Sequence, residues 1–281
     1  MFEKNYYCLV AGLREYALDS DTKGFDAREI IAEILEEVSS GDAEAVRLLY
    51  GYYDCENIIA LRAGRSAYNP LGNIPAEELE QELASPKALP KAMAQVLKDY
   101  AATESEETEG VDLSLGFERA LLTAYYEECA RSKSRFVRQW AEFDRTLRNV
   151  TAAAVARSMD RRVDSVTVGK GDVVAQLQRS SAADFGLRGE LTYVDAVLAA
   201  VNDEQNMIEK EHKIDRIRWS MSDALAEKDY FNINTILSYL SKLNIVQRWF
   251  ALDERVGRAM YDELIASLSG REVVSKAIES I

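Results

Sequence analysis

Acidic side chains are the most numerous groups with catalytic potential in this sequence. Adjacent carboxylates occur at Glu36-Glu37 and at Glu127-Glu128, and general acid–base catalysis needs two such groups whose surroundings differ. Nothing in the sequence marks one pair as a buried acid and base. In a chain with 48 acidic residues, we expect such pairs to lie on solvated helix faces.

Two other features suggest a reactive site, but the residues around them do not support one. Residues 168–172, Val-Gly-Lys-Gly-Asp, lack the earlier glycine and the following serine or threonine of a phosphate-binding loop, so we predict a turn there. The one histidine, His212, lies in a polar run and is predicted to be exposed. A single histidine excludes metal sites built on a histidine pair. We therefore predict no catalytic, cofactor or metal site, and a protein that is not an enzyme.

The composition also restricts the partners. A formal net charge of -14 over 281 residues disfavours binding to nucleic acid, which requires a basic surface, and adhesion to anionic lipid. No uninterrupted apolar run has membrane-spanning length, so we predict no direct membrane insertion. Three widely separated cysteines fit a reducing compartment, each as a small core residue. The start lacks a secretory signal, and we expect a cytoplasmic protein.

Long helices are predicted to position the polar residues. All four prolines lie between residues 70 and 90, which leaves the remaining two thirds of the chain free to form long helices. Apolar residues there recur at intervals of three and four, as in amphipathic helices. Asp42 is predicted to cap one helix start. Short strands at residues 6–10 and 163–168 would leave the class all-α.

Two ten-residue segments, 57–66 and 149–158, read almost as copies. Each begins with asparagine, carries small residues at helical spacing, ends in Arg-Ser and follows an aromatic residue and an aspartate. A weaker echo of the Asp-x-x-Asn-Ile order occurs at residues 229–233. An internal repeat of this period favours several similar helical units.

The predicted organisation is three helical units of similar size. They cover residues 1–102, 103–185 and 186–281. The first boundary is the acidic stretch 103–110, which has no apolar residue and ends in glycine, and is typical of a solvated linker. The second boundary is predicted near residues 180–186.

The polar residues of the two copies have two interpretations. They fix how similar units pack against each other, since buried amides usually pair internally, or they contact a protein partner. The candidates are Asp54, Asn57, Arg62 and Arg65 in the first copy and Asp144, Asn149 and Arg157 in the second.

A run of basic residues has the same two interpretations. It is either a solvated helix face that offsets nearby glutamates or a docking face for an acidic partner, because arginine binds carboxylates specifically. Its members are Arg131, Lys133, Arg135, Arg138, Arg145, Arg148, Arg157, Arg161 and Arg162.

Residues 53–63, Tyr-Asp-Cys-Glu-Asn-Ile-Ile-Ala-Leu-Arg-Ala, resemble a known signature. The pattern aromatic-Asp-x-x-Asn-[Leu/Ile]-x-x-x-[Leu/Ile]-Arg-[Ala/Gly] belongs to the C-type central-stalk subunit of V-type and archaeal-type rotary ATPases, called the d-type subunit in eukaryotes. Residues 73–83 are similar to the loop and helix that follow the signature. Phe143, Asp144, Asn149 and Arg157 are similar to the second unit of that family, and residues 229–249 to its third.

The resemblance implies a fold and a function. It implies three similar helical units in a pseudo-threefold, funnel-like arrangement. It also implies a non-catalytic coupling subunit that links the central rotor shaft to the membrane rotor ring and transmits torque during ion transport. Its partners would be other subunits of the rotary ATPase, and the protein would be peripheral to the membrane through that complex.

Two alternatives from other functional classes remain. A free-standing helical-repeat adapter would bind a protein partner on a concave surface. A helical enzyme would contain a deep pocket with converging acids of strongly shifted pKa.

Overall fold

The computed structural model describes residues 4–18, 25–105, 113–202 and 207–252, and within these ranges it contains helices and loops but no β-strand. The predicted all-α class is confirmed. Two short 3-10 helices, Ala76–Glu78 and Val163–Ser165, accompany the α-helices. The α-helices are α1 (Tyr7–Gly12), α2 (Ala27–Glu37), α3 (Ser40–Arg62), α4 (Leu79–Ala84), α5 (Lys91–Ser105), α6 (Leu113–Ala130), α7 (Arg135–Ser158), α8 (Asp172–Arg179), α9 (Val194–Asn202), α10 (Met207–Ala226) and α11 (Ile233–Leu252).

Side-chain caps fix where the long helices begin. Ser134 has extended backbone, and its hydroxyl accepts a hydrogen bond from the N–H of Val137 at the start of α7. Ser39 does the same for α3 by accepting from the N–H of Asp42. The predicted cap at Asp42 is therefore wrong, because the cap must precede the first helical residue. The carboxylate of Asp42 instead accepts hydrogen bonds from Ser39 and Tyr6.

The two predicted strands are also wrong. Residues 7–12 form α1, since a short apolar run does not distinguish a strand from a helix by periodicity. Residues 163–165 form a 3-10 turn. The backbone of Val168 pairs with the side chain of Asn149 rather than with another strand.

The buried side chains form two clusters joined along α7. The larger cluster packs α2, α3, α5, α6 and α11 around Tyr50, Leu121 and Ile236. The smaller one packs the second half of α7 against α8, α9 and α10 around Leu147 and Leu177. α7 contributes to both, through Phe136 and Leu147 respectively. This long helix therefore connects the two cores.

The predicted boundaries of the three units stay a prediction. The acidic stretch 103–110 lies largely outside the described residues, and so does the end of the third unit after residue 252. Among the described helices, none is long and apolar enough to cross a membrane.

The cysteines differ from the sequence prediction at one position. Cys55 and Cys129 are buried as expected, but Cys8 is exposed. Burial raises the pKa of the Cys55 thiol well above its usual value and that of Cys129 to about 12. Both buried thiols therefore stay protonated at neutral pH, the form that is a poor nucleophile.

Candidate functional site

A large cavity of about 1280 Å³ lies among α3, α6, α7, α10 and α11. The loops that follow α3 and α7 complete its wall. Small residues on the long helices, such as Ala60, Ala152 and Ala156, line it together with aromatic rings such as Tyr52 and Trp140. The cavity is therefore bounded by the segments that the sequence singled out, 57–66 and 149–158.

Three of the long helices present the cavity with side chains at the same spacing. On each, the lining residues include four positions at intervals of three, four and three residues, as on one face of an α-helix. These positions are Leu49, Tyr52, Glu56 and Ile59 on α3, Ala141, Asp144, Arg148 and Thr151 on α7, and Ser241, Asn244, Arg248 and Ala251 on α11.

A buried carboxylate, Asp215 on α10, is the centre of the polar wall. The residue is 1% exposed, and its side chain accepts hydrogen bonds from Arg218 at 2.8 Å, from Arg248 at 3.0 Å and from the indole N–H of Trp249 at 2.9 Å. Arg248 also pairs with Glu211. Because a buried charge is tolerated only when it is paired and hydrogen-bonded, these contacts fix α10 against α11.

The network continues to α7 through Asp144. Its carboxylate accepts a hydrogen bond from the hydroxyl of Tyr126 at 2.8 Å and pairs with Arg218 at 3.4 Å. One turn further along α7, Arg148 donates to the hydroxyl of Tyr52 at 3.1 Å and to Glu118 at 3.0 Å. Most of the charges inside the cavity thus neutralise one another across helices.

Glu56 is a cavity carboxylate that is exposed to solvent on one side and has a raised pKa. Desolvation raises its pKa, and this effect exceeds the opposing hydrogen bonds and the opposing charges of Arg148 and Arg248. The nearby Tyr52 hydroxyl has a raised pKa as well, from burial and from the charge of Glu56. The charged form of Glu56 is therefore disfavoured in the folded protein.

Asn57 and Asp54 hold the loop that follows α3. The amide of Asn57 donates to the carbonyl of Asn69 at 2.9 Å and accepts from its N–H at 2.6 Å. The carboxylate of Asp54 accepts from the side chain of Asn73 at 2.7 Å and from the N–H of Ile74 at 3.0 Å. These two polar residues of the first copy thus bind a segment that lies within 20 residues of them in the chain.

Asn149 makes the same pair of bonds with the loop after α7. Its amide donates to the carbonyl of Val168 at 2.9 Å and accepts from the N–H of Val168 at 2.8 Å. Arg157 donates to the carbonyls of Ser180 and Ala182 and lies over the ring of Phe185. Both side chains therefore bind segments that follow them in the chain.

The remaining arginines of the first copy have different surroundings. Arg62 packs over the rings of Phe117 and Tyr100, with its guanidinium carbon 4.0 Å and 5.1 Å from the ring centres. Arg65 is exposed and lines the cavity. Of the predicted candidates, Asn57, Arg65 and Asp144 line the cavity.

Most of the basic run is engaged within the chain. Arg131 pairs with Glu127 and Glu128, and Arg135 pairs with Asp229. Arg162 pairs with Asp164. The predicted turn at 168–172 is a loop before α8, with positive φ at both glycines.

His212 does not have the predicted exposure. It is half-buried on α10, and its ring centre lies 4.2 Å from the ring of Trp249. A bulky aromatic residue on the neighbouring α11 covers it, which the polar residues around His212 in sequence do not reveal. Within the described part of the chain, no cluster of three or more His, Cys, Asp or Glu side chains is arranged to hold a metal ion.

Sequence reasoning missed the central ionic residues, Asp215, Arg218 and Arg248. The available signal was the charge pair at positions i and i+3 on α10, flanked by the apolar Ile214 and Ile217. The partner Arg248 is 33 residues away from Asp215, and no local pattern connects the two.

Comparison with protein families gives a match that covers residues 3–271 and is described as a protein of unknown function (DUF2764). The chain belongs to this family. A search among curated proteins finds no significant match.

Membership of the DUF2764 family corrects the resemblance to the central stalk of rotary ATPases, which is wrong. The matching family spans nearly the whole chain, is uncharacterised, and nothing links it to that stalk. The structure also gives a physical reason for the misleading signature. Asp54 and Asn57 bind their own downstream loop, a local task that specifies no partner.

Replacement of Asn57 by alanine tests the loop clamp. Asn57→Ala leaves the N–H and the carbonyl of Asn69 without this partner, and we expect a loss of about 1–3 kcal/mol in the free energy of unfolding, measured by urea titration. Asn202→Ala, an exposed asparagine at the end of α9, is the matched control. Equal effects of the two substitutions would contradict the clamp.

Two glycines provide an independent test of the same contact. A Cβ at Gly72 would lie 2.8 Å from the amide nitrogen of Asn57 and 2.9 Å from a carboxylate oxygen of Asp54, whereas a Cβ at Gly41 meets nothing within 4 Å. We expect Gly72→Ala to lower the melting temperature. Gly41→Ala, within the first turn of α3, should leave it unchanged or raise it, because alanine favours helix.

The raised pKa of Glu56 predicts a pH-dependent effect on stability. The folded protein binds the proton of Glu56 more tightly than the unfolded chain, so the ionised form costs stability at neutral pH and the cost disappears as the pH falls below the unfolded pKa, about 4.3. We expect Glu56→Gln to be more stable than the parent at pH 7 and equally stable at a pH of about 4.

Urea titrations at several pH values measure this difference. Glu44→Gln, at an exposed position on the same helix outside the cavity, is the control. If Glu56→Gln lowers stability at pH 7, the ionised carboxylate is stabilising and the prediction is wrong.

Proposed function

We propose that this protein is a non-catalytic binding protein whose cavity receives the α-helical end of a protein partner. The cavity volume of about 1280 Å³ is the observation that carries the proposal, since small-molecule pockets measure about 300–1,000 Å³. A helix about 10 Å across would occupy such a volume over about 16 Å, or roughly three turns.

The proposed binding site is a funnel in which α3, α7 and α11 are three similar sides, with α6 and α10 completing the wall. The equivalent pairing of Asn57 and Asn149 with the loops after α3 and α7 supports this arrangement, because similar units would produce it. In this proposal the pseudo-threefold arrangement positions three like surfaces around a partner helix.

A stiff wall supports binding or force transmission rather than catalysis. The carboxylates of Asp144 and Asp215 are held by arginines from their own or neighbouring helices. A wall preorganised in this way loses little freedom when a partner binds. Catalytic acids and bases instead need groups that remain available to exchange protons with a substrate.

The identity of the partner has two candidate classes. One is the rotor shaft and membrane ring of a rotary ATPase, with this protein as the coupling element between them. This candidate stays a prediction, and membership of the DUF2764 family does not support it. The alternative is an adapter that binds a regulatory helix. In both cases the proposed contact is the same cavity, so the mapped sequence of the bound segment distinguishes them.

Site-specific photo-crosslinking in native cells tests the proposal. A photoreactive residue at Ala152, which lines the cavity on α7, should crosslink to a segment of one protein that forms an amphipathic helix. The same residue at Ser158, which is exposed on the same helix, should not yield that adduct. Mass spectrometry of the crosslinked peptides identifies the segment.

A substitution that fills the cavity completes the test. Ala152→Trp should reduce recovery of the identified partner at least about tenfold, because the indole occupies the space of a partner side chain, whereas Ser158→Trp should not. Equal crosslinking from the two positions would overturn the proposal. So would a small molecule that native mass spectrometry finds bound to the parent but not to Ala152→Trp.

A further inference from the structure

We infer that the partner helix carries acidic residues on both sides of an apolar stripe, and that two arginines at the edge of the cavity bind these acidic residues. This inference rests on the proposed function and adds the chemistry of the partner. It is carried by a group of exposed cavity-lining residues, here called the rim, which consists of Arg65, Tyr68, Val155, Met159 and Arg161.

The rim contains three exposed apolar side chains. Tyr68 is 38% exposed, Val155 37% and Met159 58%, and all three line the cavity. Methionine adapts its shape to different partners. Exposed apolar side chains that share one concave surface mark interaction sites, unlike single exposed residues scattered over a protein.

Arg65 and Arg161 occupy equivalent positions at the ends of α3 and α7. Each follows a residue with positive φ, Gly64 and Asp160 respectively. The N–H of Arg65 donates to the carbonyl of Ala60 at 2.9 Å, and that of Arg161 to the carbonyl of Ala156 at 2.8 Å. This pattern closes a helix end in a fixed geometry, so the backbone of both arginines is rigid while their side chains are exposed.

The two rim arginines differ from those deeper in the cavity. Arg148, Arg218 and Arg248 each pair with carboxylates. Over the ranges that the structure describes, the guanidinium groups of Arg65 and Arg161 have no acceptor. Exposed charges that frame an apolar patch are the usual means of selecting and orienting a partner.

Charge complementarity therefore selects the occupant. An amphipathic helix places leucine-type residues against Tyr68, Val155 and Met159 and carboxylates beside Arg65 and Arg161, which is the helix-in-groove mode of recognition. Nucleic acid and anionic membranes fit less well, because two rim cations neutralise few phosphates or lipid headgroups and release few counterions.

Two synthetic helices provide the probe. Both are fluorescein-labelled peptides of about 20 residues, long enough to be helical in water, with leucine at intervals of three and four. One has glutamate at the flanking positions and the other has lysine. Fluorescence anisotropy with the full chain measures the dissociation constants at low and high salt.

We expect the glutamate peptide to bind at least about tenfold more tightly than the lysine peptide, with a difference that shrinks at high salt. The double substitution Arg65→Glu with Arg161→Glu should reverse the preference, and the neutral double substitution to glutamine should abolish it. Arg216→Glu, an exposed arginine of α10 outside the cavity, is the control and should retain the preference. Circular dichroism confirms that each variant is folded.

The outcomes separate this inference from the proposed function. If both peptides bind equally and Ala152→Trp abolishes their binding, the inference of an acidic partner is overturned. The cavity then remains the site for a helix. No binding of the glutamate peptide also overturns the inference, while crosslinking decides the proposed function independently. Binding of phosphatidylserine vesicles that is lost in the double glutamate variant would make the rim a lipid site and would likewise overturn it.

Discussion

The pairing of Asp215 is the interaction on which the geometry of the cavity depends. The buried carboxylate of Asp215 requires positive partners, and here they come from Arg218 on its own helix and Arg248 on α11. Loss of one partner of a buried ion pair typically costs about 3–5 kcal/mol. Since Arg218 also pairs with Asp144 on α7, the relative positions of α7, α10 and α11 are set by one connected network.

The loops around the cavity depend on a second constraint, which is the pairing of loop backbone with helix amides. Asn57 and Asn149 each satisfy one N–H and one carbonyl of the loop after their helix. Buried backbone groups without partners are costly, so these bonds hold both loops against the helices. The same loops lead from the helix ends, where Arg65 and Arg161 lie, into the cavity wall.

The sequence predicts the helical class better than it predicts the site. The absence of proline after residue 90 and the helical periodicity both depend on local chemistry, so they indicate α6, α7, α10 and α11 correctly. The spacing of the two copies identifies Asn57 and Asn149 as important amides. It does not reveal that their partners are backbone groups 12 and 19 residues downstream, because backbone atoms leave no signal in a sequence.

The ionic centre is beyond prediction for a different reason. Asp144 and Arg218 are separated by 74 residues, and one chain offers many alternative pairings among 34 basic and 48 acidic residues. The misleading family signature has a related cause. The spacing of Asp54 and Asn57 fits the family signature, and it also suits the binding of the loop that follows their helix. Residue spacing alone therefore does not distinguish membership of that family from local binding of a loop.

In the proposed binding mode, the distribution of charge gives the wall and the rim of the cavity different roles. In the wall, the charges of Arg148, Arg218 and Arg248 are neutralised within the chain, so a partner there gains mainly from burial of apolar surface and from a preorganised shape. At the rim, Arg65 and Arg161 keep their charge available. Exposed charges affect association and orientation more than affinity. Affinity would thus come from the wall, and the choice and direction of the entering helix from the rim.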